Sequence, residues 1–337
     1  MKTCYKLFVL CCFMAVYNVQ AAVITVSNRP GDIANFTSIS DAINAAADGD
    51  IIYVSGSATS YGSFTLAKRL TLVGSGHNPD NDNGLVSQLG SVTLVTGSSG
   101  SEIIGFRIAG ISWSNPSDVI NNINLQRNNI GSIAINGNSK EWIIQENIIN
   151  SISSSSGITF EENLIIRNNI ITSSISNLRY SLFTNNVFTA TFAGAFSTIQ
   201  FNSFSNNIFF QNDLNSDFTN ARIQNCTFNN NIFFGSSNPT SLPTINGNSG
   251  QDNIFANPQF VNVPNNTFDY NQDFNLQGSS PGINAGTDNT DIGLFGGAGY
   301  TVSGTPAIPE VTLFNILNPI VPQNGNLNVR IEGKANN

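Results

Sequence analysis

The stretch Ser205-Asn206-Asn207-Ile208-Phe209 is one copy of a motif that predicts the fold of this chain. Seven copies occur, and each places an asparagine directly before Ile or Val, with another polar residue in front of it. The shared asparagine falls at 129, 147, 169, 186, 207, 231 and 253, so successive copies lie 17 to 24 residues apart. A period near 20 residues is typical of a solenoid, in which each repeat forms one turn stacked on the last.

The residues around the motif indicate a solenoid of β-strands. They are rich in Ile, Val, Phe and Thr, which favour strands. The residue after the asparagine and the third residue before it are mostly apolar, so both columns are predicted to point into the core. Asparagine tolerates left-handed backbone angles, which predicts a bend between the two columns. Stacked at about 4.8 Å, the asparagines are predicted to hydrogen bond to one another as a ladder. The predicted ladder residues are Asn129, Asn147, Asn169, Asn186, Asn207, Asn231 and Asn253.

The first 21 residues have the pattern of a secretory signal peptide. Lys2 and Lys6 precede an apolar core, and Val19-Gln20-Ala21 offers a small-residue cleavage site. The mature protein is therefore predicted to be secreted, or located in the periplasm or at the cell surface. No later apolar run is long enough to span a membrane. Cleavage removes three of the four cysteines, and the remaining Cys226 is predicted to be a small packed residue.

The charge of the chain bears on its partners. Charged residues make up 10% of the sequence, against about 25% in ordinary soluble domains. Removing Lys2 and Lys6 from the 13 bases leaves 11 against 21 acids, which gives the mature chain a net charge of −10. This balance argues against nucleic acid or an anionic membrane as a partner. It also disfavours a strongly anionic polysaccharide, whereas a surface rich in Asn, Ser and Thr suits neutral sugars.

Two further regions resemble a known superfamily. A predicted helix at 38–47 is followed by Asp48-Gly49-Asp50-Ile51-Ile52-Tyr53-Val54, by Tyr61-Gly62 and by Leu70-Thr71-Leu72-Val73-Gly74. This run resembles the opening of pectin-lyase-like right-handed parallel β-helix proteins. The segments 257–261, 274–286 and 291–297 resemble the closing part of secreted bacterial members. The resemblance covers about residues 22–300. It implies an all-β, right-handed parallel β-helix of about nine to eleven turns with a short N-terminal capping helix.

The predicted organisation therefore has three parts. Residues 1–21 are the signal peptide, and residues 22–300 form the β-helix. Residues 301–337 contain prolines 306, 309, 319 and 322. They are predicted to be a Pro-rich tail, either as a hairpin packed along the solenoid or as the start of a further β module.

The resemblance also implies where chemistry would be found. Enzymes of this superfamily mostly cleave acidic polysaccharides. Their lyases hold calcium with aspartates and use Arg or Lys as base, and their hydrolases cluster aspartates on one sheet. Glycoside hydrolysis needs a paired acid and base or nucleophile, but no Asp-Asp pair occurs in a predicted turn and no Asp-x-x-x-Asp on a predicted strand. Glu161-Glu162 reads as a solvated edge.

Three places are candidate sites. Asp80 and Asp82 form either a calcium site or a plain surface loop, beside His77 as a candidate base. Arg127, Gln145 and Arg167, with Glu146, are predicted to project outward on successive turns, either as a substrate-binding strip for sugars or as a solvated sheet face. Four aromatic residues are candidates for sugar stacking or for packing: Trp113, Trp142, Tyr180 and Tyr270.

These observations favour a secreted, non-catalytic solenoid that binds glycans or acts as a surface or adhesive protein, with an extracellular polysaccharide as partner. The alternative is a polysaccharide lyase or glycoside hydrolase. We expect no cofactor, with Ca²⁺ at Asp80 and Asp82 as the one alternative.

Overall fold

A computed structural model describes residues 21–80, 84–155, 163–189, 196–210, 214–235, 239–318 and 320–334. The described chain is an all-β parallel solenoid of about 8 turns, as the repeat predicts. Residues 1–20, which hold most of the predicted signal peptide and Cys4, Cys11 and Cys12, lie outside the described residues, as do Asp82, Glu161 and Glu162.

Strands are short and follow one another closely. In chain order the elements are β1 (Val23–Val26), α1 (Ile39–Ala45), β2 (Ile51–Val54), β3 (Phe64–Leu66), β4 (Thr71–Val73), β5 (Gln88–Leu94), β6 (Glu102–Ile104), β7 (Arg107–Trp113), β8 (Asn124–Gln126), β9 (Asn129–Ile135), β10 (Ile143–Gln145), β11 (Ile148–Ser154), β12 (Ile165–Arg167), β13 (Ile170–Ile171), β14 (Ile175–Ser176), β15 (Leu182–Thr184), β16 (Val187–Phe188), β17 (Phe196–Ser197), β18 (Ile199–Gln200), β19 (Ser203–Ser205), β20 (Ile208–Phe210), α2 (Leu214–Thr219), β21 (Ile223–Gln224), β22 (Thr227–Asn229), β23 (Ile232–Phe234), a 3-10 turn (Ile245–Gly247), β24 (Ser249–Gln251), β25 (Phe260–Asn262), β26 (Asp273–Leu276), β27 (Glu310–Ile316) and β28 (Val329–Lys334).

Two large parallel sheets run the length of the solenoid. The first has the order β1-β2-β4-β6-β8-β10-β12-β15-β19-β22-β24, and the second runs from β3 through β5, β7, β9, β11, β13, β16 and β20 to β23, with β14 and β17 to the side. β1 and β24 have no counterpart in the second sheet. The solenoid has about eight turns, where the resemblance implied nine to eleven. Beyond the last turn the chain forms two antiparallel pairs, β25 with β26 and β27 with β28.

A buried asparagine ladder follows the bend between the two large sheets. The backbone N–H of Asn147 donates to Oδ1 of Asn169 at 2.9 Å, and Nδ2 of Asn147 donates to the same oxygen at 3.1 Å. Nδ2 of Asn147 also donates to the Leu125 carbonyl, one turn back, at 2.8 Å. The ladder consists of Asn128, Asn147, Asn169, Asn186, Asn207, Asn231 and Asn253. The predicted ladder is thus confirmed in six of its seven positions.

The first position of the ladder was assigned to the wrong residue. Asn128 occupies it, whereas Asn129 begins β9 and pairs with Ile148. Two asparagines stand side by side here, and the sequence motif alone does not distinguish them. The same one-residue shift brings Leu125, not Gln126, beside Ile144 in the column that faces the core.

The apolar columns of the second sheet face in opposite directions. The second residue after each ladder asparagine points inward. From Phe188 onward this column is an aromatic stack, with Phe188–Phe209 and Phe209–Phe233 ring centroids each 4.8 Å apart. The first residue after the asparagine was predicted to point inward. This is confirmed for Ile130, which follows Asn129, and is wrong for the other turns. Side chains alternate along a strand, so this column faces outward. It forms a second apolar cluster beneath the closing part of the chain: Ile148, Ile170, Val187, Ile208 and Ile232, covered by Phe260, Phe274, Ile292 and Leu294.

The residue before each ladder asparagine carries the bend. Its φ is positive in all seven turns, for example at Arg127 (54°), Glu146 (54°) and Asn206 (58°). Asn holds this position in four of the seven turns: Asn168, Asn185, Asn206 and Asn230. Asparagine tolerates this conformation better than most residues. The first position of the motif therefore serves the backbone bend, and the second position supplies the ladder asparagine.

The predicted N-terminal helix is present as α1. It buries Ile39, Ala42 and Ile43 in the main core, and Lys68 Nζ donates to the carbonyls of its last turn at 2.6 to 3.0 Å. A closing role for this helix at the end of the solenoid remains a prediction. Among the described residues, no helix is long and apolar enough to cross a membrane.

The contribution of the asparagine ladder to stability can be tested by substitution. Asn169→Ala removes the three hydrogen bonds that its Nδ2 donates and leaves the N–H and Nδ2 of Asn147 without their acceptor in a buried bend. We expect the free energy of unfolding to fall by about 2–4 kcal/mol, measured by urea denaturation. Asn150→Ala, at an exposed position in the preceding turn, is the control and should change it by less than about 0.5 kcal/mol. Equal effects of the two substitutions would contradict a stabilising ladder.

Candidate binding site

The predicted sugar-binding strip does not form a single column. Gln145 and Arg167 are cross-strand neighbours, and the Arg167 guanidinium donates to Gln145 Oε1 at 2.9 and 2.6 Å. Arg127 lies instead at the bend, one position further along its turn, because Gln126 is the residue that pairs with Gln145. The predicted alignment of Arg127 with Gln145 and Arg167 is therefore wrong by one residue. The sugar-binding role of this strip stays a prediction.

Arg127 and Glu146 hold the closing part of the chain. Arg127 Nε lies 2.9 Å from Glu146 Oε2, and both side chains are largely buried. Glu146 also accepts hydrogen bonds from Gln126 and from the Thr301 N–H, and Arg127 Nη1 donates to the Thr305 carbonyl at 3.0 Å. Burial raises the pKa of Glu146, but the hydrogen bonds from Thr301 and Gln126 and the Arg127 charge together bring it below its usual value. The pair thus fastens residues 301–305 to the solenoid.

A second polar cluster ties the same region together around His77. The side chain is fully buried, and its Nδ1 lies 3.1 Å from the hydroxyl of Tyr270. That hydroxyl donates to the His77 carbonyl at 3.0 Å and accepts from Asn129 Nδ2 at 2.8 Å. Burial, with the Arg107 charge as a second cause, lowers the pKa of His77 to about 3. His77 is therefore neutral in the folded protein at ordinary pH and serves as a packing and hydrogen-bonding group.

The remaining predicted site residues lie apart from one another. Asp80 is exposed, and its N–H donates to Asn78 Oδ1 at 2.9 Å. Over the described ranges, no three His, Cys, Asp or Glu side chains lie close enough to hold a metal ion. Trp142 is buried and donates to the Ile120 carbonyl at 2.7 Å, which confirms packing for this residue. Tyr180 is exposed and stacks on Phe201 at 5.1 Å, so the two rings cover one face of each other.

A concave site lies between the second sheet and the closing part of the chain. It is a pocket of about 290 Å³. Ile148 and Ile170 of the outward column form its floor together with Leu294. Aromatic and polar side chains complete the lining: Phe268, Asp269, Tyr270, Gln272, Asp273, Phe274, Asn275, Phe295, Tyr300 and Val302. We call this the closing-segment pocket.

Two aspartates at the pocket are oriented by their own loop. Asp269 Oδ1 accepts from the N–H and Nδ2 of Asn271, both at 2.8 Å. Asp273 Oδ1 accepts from the same two groups of Asn275 at 2.9 and 2.7 Å. The bonds from Asn271 lower the pKa of Asp269, which makes this carboxylate an acceptor at neutral pH. Each pair of bonds fixes a carboxylate in a tight turn beside an aromatic ring.

The sequence analysis missed this carboxylate pair because it lies outside the repeats. A signal was present in Asp269-Tyr270-Asn271 and Asp273-Phe274-Asn275, where the same Asp-aromatic-Asn order occurs twice within seven residues. Nothing in that order shows that the second sheet supplies an apolar floor, because Ile148 and Ile170 lie about a hundred residues earlier in the chain.

Comparison of the chain with known proteins assigns it no function. No protein family profile matches the chain, and a search of curated proteins finds no match.

The Arg127–Glu146 pair allows a test of how the closing part of the chain is held. Glu146→Gln leaves Arg127 largely buried without a countercharge, so we expect a loss of about 1–3 kcal/mol of unfolding free energy. Hydrogen exchange of the 301–305 amides should become faster. Glu141→Gln is a matched control because Glu141 also has a positive φ and a salt bridge, but an exposed one. Unchanged exchange at 301–305 in Glu146→Gln would contradict the fastening role.

His77 predicts a pH dependence of stability. Its pKa is about 3 when folded and 6.5 unperturbed, so between these values the unfolded chain binds a proton that the folded chain does not. The stabilising contribution is complete above pH 6.5 and falls as the pH decreases toward 3. Relative to His77→Asn, the wild type should lose up to about 1.4 kcal/mol per pH unit below pH 6.5. Urea denaturation from pH 7.5 to about 4.5 measures this difference, and parallel curves for the two proteins would refute it.

Proposed function

We propose that this protein is a secreted, non-catalytic glycan-binding solenoid of the pectin-lyase-like type and that the closing-segment pocket binds a neutral sugar. The observation that carries the proposal is the combination of aromatic walls with carboxylate and amide groups in one concave site. Small-molecule sites are typically apolar pockets with a few placed polar groups. Aromatic rings pack against the C–H faces of sugars, and carboxylates accept hydrogen bonds from their hydroxyls.

The size and charge of the pocket limit the class of sugar that it can bind. A volume of about 290 Å³ lies at the lower end of the roughly 300–1,000 Å³ of ligand sites. This favours one or two sugar rings, such as the end of a chain, over a long polymer segment. Asp269 and Asp273 place negative charge at the pocket, and the chain has a net charge of −8. Both disfavour uronic acids and sulfated sugars, because like charges would be brought together.

Secretion is supported by the N-terminal sequence. Lys2, Lys6, the apolar run that follows them and Val19-Gln20-Ala21 have the order of a signal peptide. The opening and closing segments support the superfamily assignment through their resemblance to secreted β-helix proteins. An extracellular or cell-surface polysaccharide is the partner that fits these features.

The carboxylate pair at the pocket is also a feature of glycoside hydrolases, which makes catalysis the alternative function. Asp269 and Asp273 lie at the same pocket, and glycoside hydrolysis uses two carboxylates. A hydrolase would release new reducing ends from a polysaccharide panel, and a lyase would release unsaturated products that absorb ultraviolet light. Binding without either product supports the non-catalytic function, whereas product release that Asp269→Asn abolishes would replace it with catalysis.

A glycan array followed by calorimetry tests the binding proposal. We expect neutral oligosaccharides to bind, and Asp269→Ala to weaken their binding roughly tenfold to a hundredfold, because a hydrogen bond to a charged group contributes about 1.5–3 kcal/mol. Asp288→Ala is the control, since the Asp288 carboxylate also caps a turn, at Thr290, but lies outside the pocket lining. If no neutral glycan binds, or if both substitutions weaken binding equally, the pocket is not the site.

A further inference from the structure

The hairpin of β27 and β28 has one apolar face that is open to solvent. Its register pairs Phe314 with Ile331 and Ile316 with Val329, so these four side chains share one face. Phe314 is 63% exposed and Ile331 57%, while Ile316 and Val329 are 47% and 40% exposed. The opposite face carries the pair Asn315 and Arg330. Apolar and polar residues therefore alternate along these strands, as in a sheet that buries one face. The apolar face of this hairpin is nevertheless exposed to solvent.

The apolar exposure of the described chain is concentrated at this hairpin and its connection. Of eighteen exposed large hydrophobic residues, eight lie within residues 314–331. They are Phe314, Ile316, Leu317, Ile320, Val321, Leu327, Val329 and Ile331. An isolated two-stranded sheet is marginally stable in water, and a contiguous exposed apolar patch marks an interaction surface. The hairpin thus requires a covering partner to make its pattern favourable.

We propose that the partner is a second copy of this chain, with the two hairpins packed face to face across a two-fold axis. The charge distribution favours this occupant. Residues 310–334 contain two acids, Glu310 and Glu332, and two bases, Arg330 and Lys334, so the hairpin is neutral in a chain of net charge −8. Two copies can approach through their hairpins without the repulsion that opposes contact elsewhere.

The geometry and the area suit such a dimer. A two-fold axis requires a self-complementary patch, and a face of four aliphatic and aromatic residues without charges satisfies this condition. Two sheets packed in this way lie about 10 Å apart, which side chains of the size of Ile and Phe fill. The four residues of this face correspond to about two fully exposed residues, and together with the four of the connection to more than four. Burial of one such side chain removes roughly 60–120 Å² of apolar area from water, which gives on the order of 300–500 Å² per copy. This is below the ~800 Å² per partner of a stable interface and suits a weak, concentration-dependent dimer.

Analytical ultracentrifugation of the purified protein over a wide range of concentrations tests the proposal. The wild type is expected to show a concentration-dependent doubling of mass. The double variant Phe314→Ser, Ile331→Ser should sediment as a monomer or raise the dimer dissociation constant at least about tenfold. Both positions are exposed, so the variant should keep the circular dichroism and melting temperature of the solenoid.

The opposite face supplies the matched control. Asn315→Ser, Arg330→Ser changes the same two strands on their polar side and should leave the dimer unaffected. Hydrogen exchange gives a second measurement. Amides in 313–331 should be protected more at high than at low concentration in the wild type and in this control, but not in Phe314→Ser, Ile331→Ser. If the wild type sediments as a monomer at every concentration, the proposal is overturned. This holds whether the apolar face stays open to solvent or is covered by another protein. A dimer that both double variants weaken equally, or that neither weakens, also overturns it.

Discussion

The structure depends on satisfying the backbone at one repeated bend. Each turn passes from the first sheet to the second through a residue with positive φ, and the N–H that follows is buried. The next turn supplies its acceptor, the Oδ1 of the ladder asparagine. The asparagine amide also donates to a carbonyl one turn back. A buried unpaired donor costs about 1–3 kcal/mol, so this side chain lets a sharp bend recur in successive turns without unpaired backbone groups.

The solenoid is incomplete without the chain that follows it. Its second sheet presents a row of aliphatic residues outward, and the closing part of the chain covers this row with aromatic and aliphatic side chains. Two polar clusters hold the cover in place. Arg127 and Glu146 bind the backbone of Thr301 and Thr305, and Asn129 and His77 bind Tyr270. The closing-segment pocket lies where this cover meets the sheet, so one set of contacts stabilises the fold and shapes the site.

Residues that recur in each turn and residues that occur once have different roles in this protein. A residue type that recurs in successive turns meets a structural requirement of each turn, as the ladder asparagine does. A binding site is needed once, and the closing-segment pocket draws its polar groups from a loop that occurs once. If the hairpins join two copies, each assembly presents two such pockets. If the pocket binds a sugar as proposed, a surface with repeated sugar ends would then be bound with higher apparent affinity than a single sugar.

Features that are local or periodic could be predicted from the sequence: the solenoid, the ladder from Asn147 onward, the inward column that includes Phe183 and Phe204, and the burial of Cys226. Those features depend on the identity of residues at fixed spacing. Tertiary structure decided the register at Asn128 and Asn129, the outward direction of Ile148, and the engagement of Arg127 with Thr305, 178 residues away. It also brought Asp269 and Asp273 over a floor from β11 and β13. Such contacts depend on how a distant segment folds back, which no repeat period specifies.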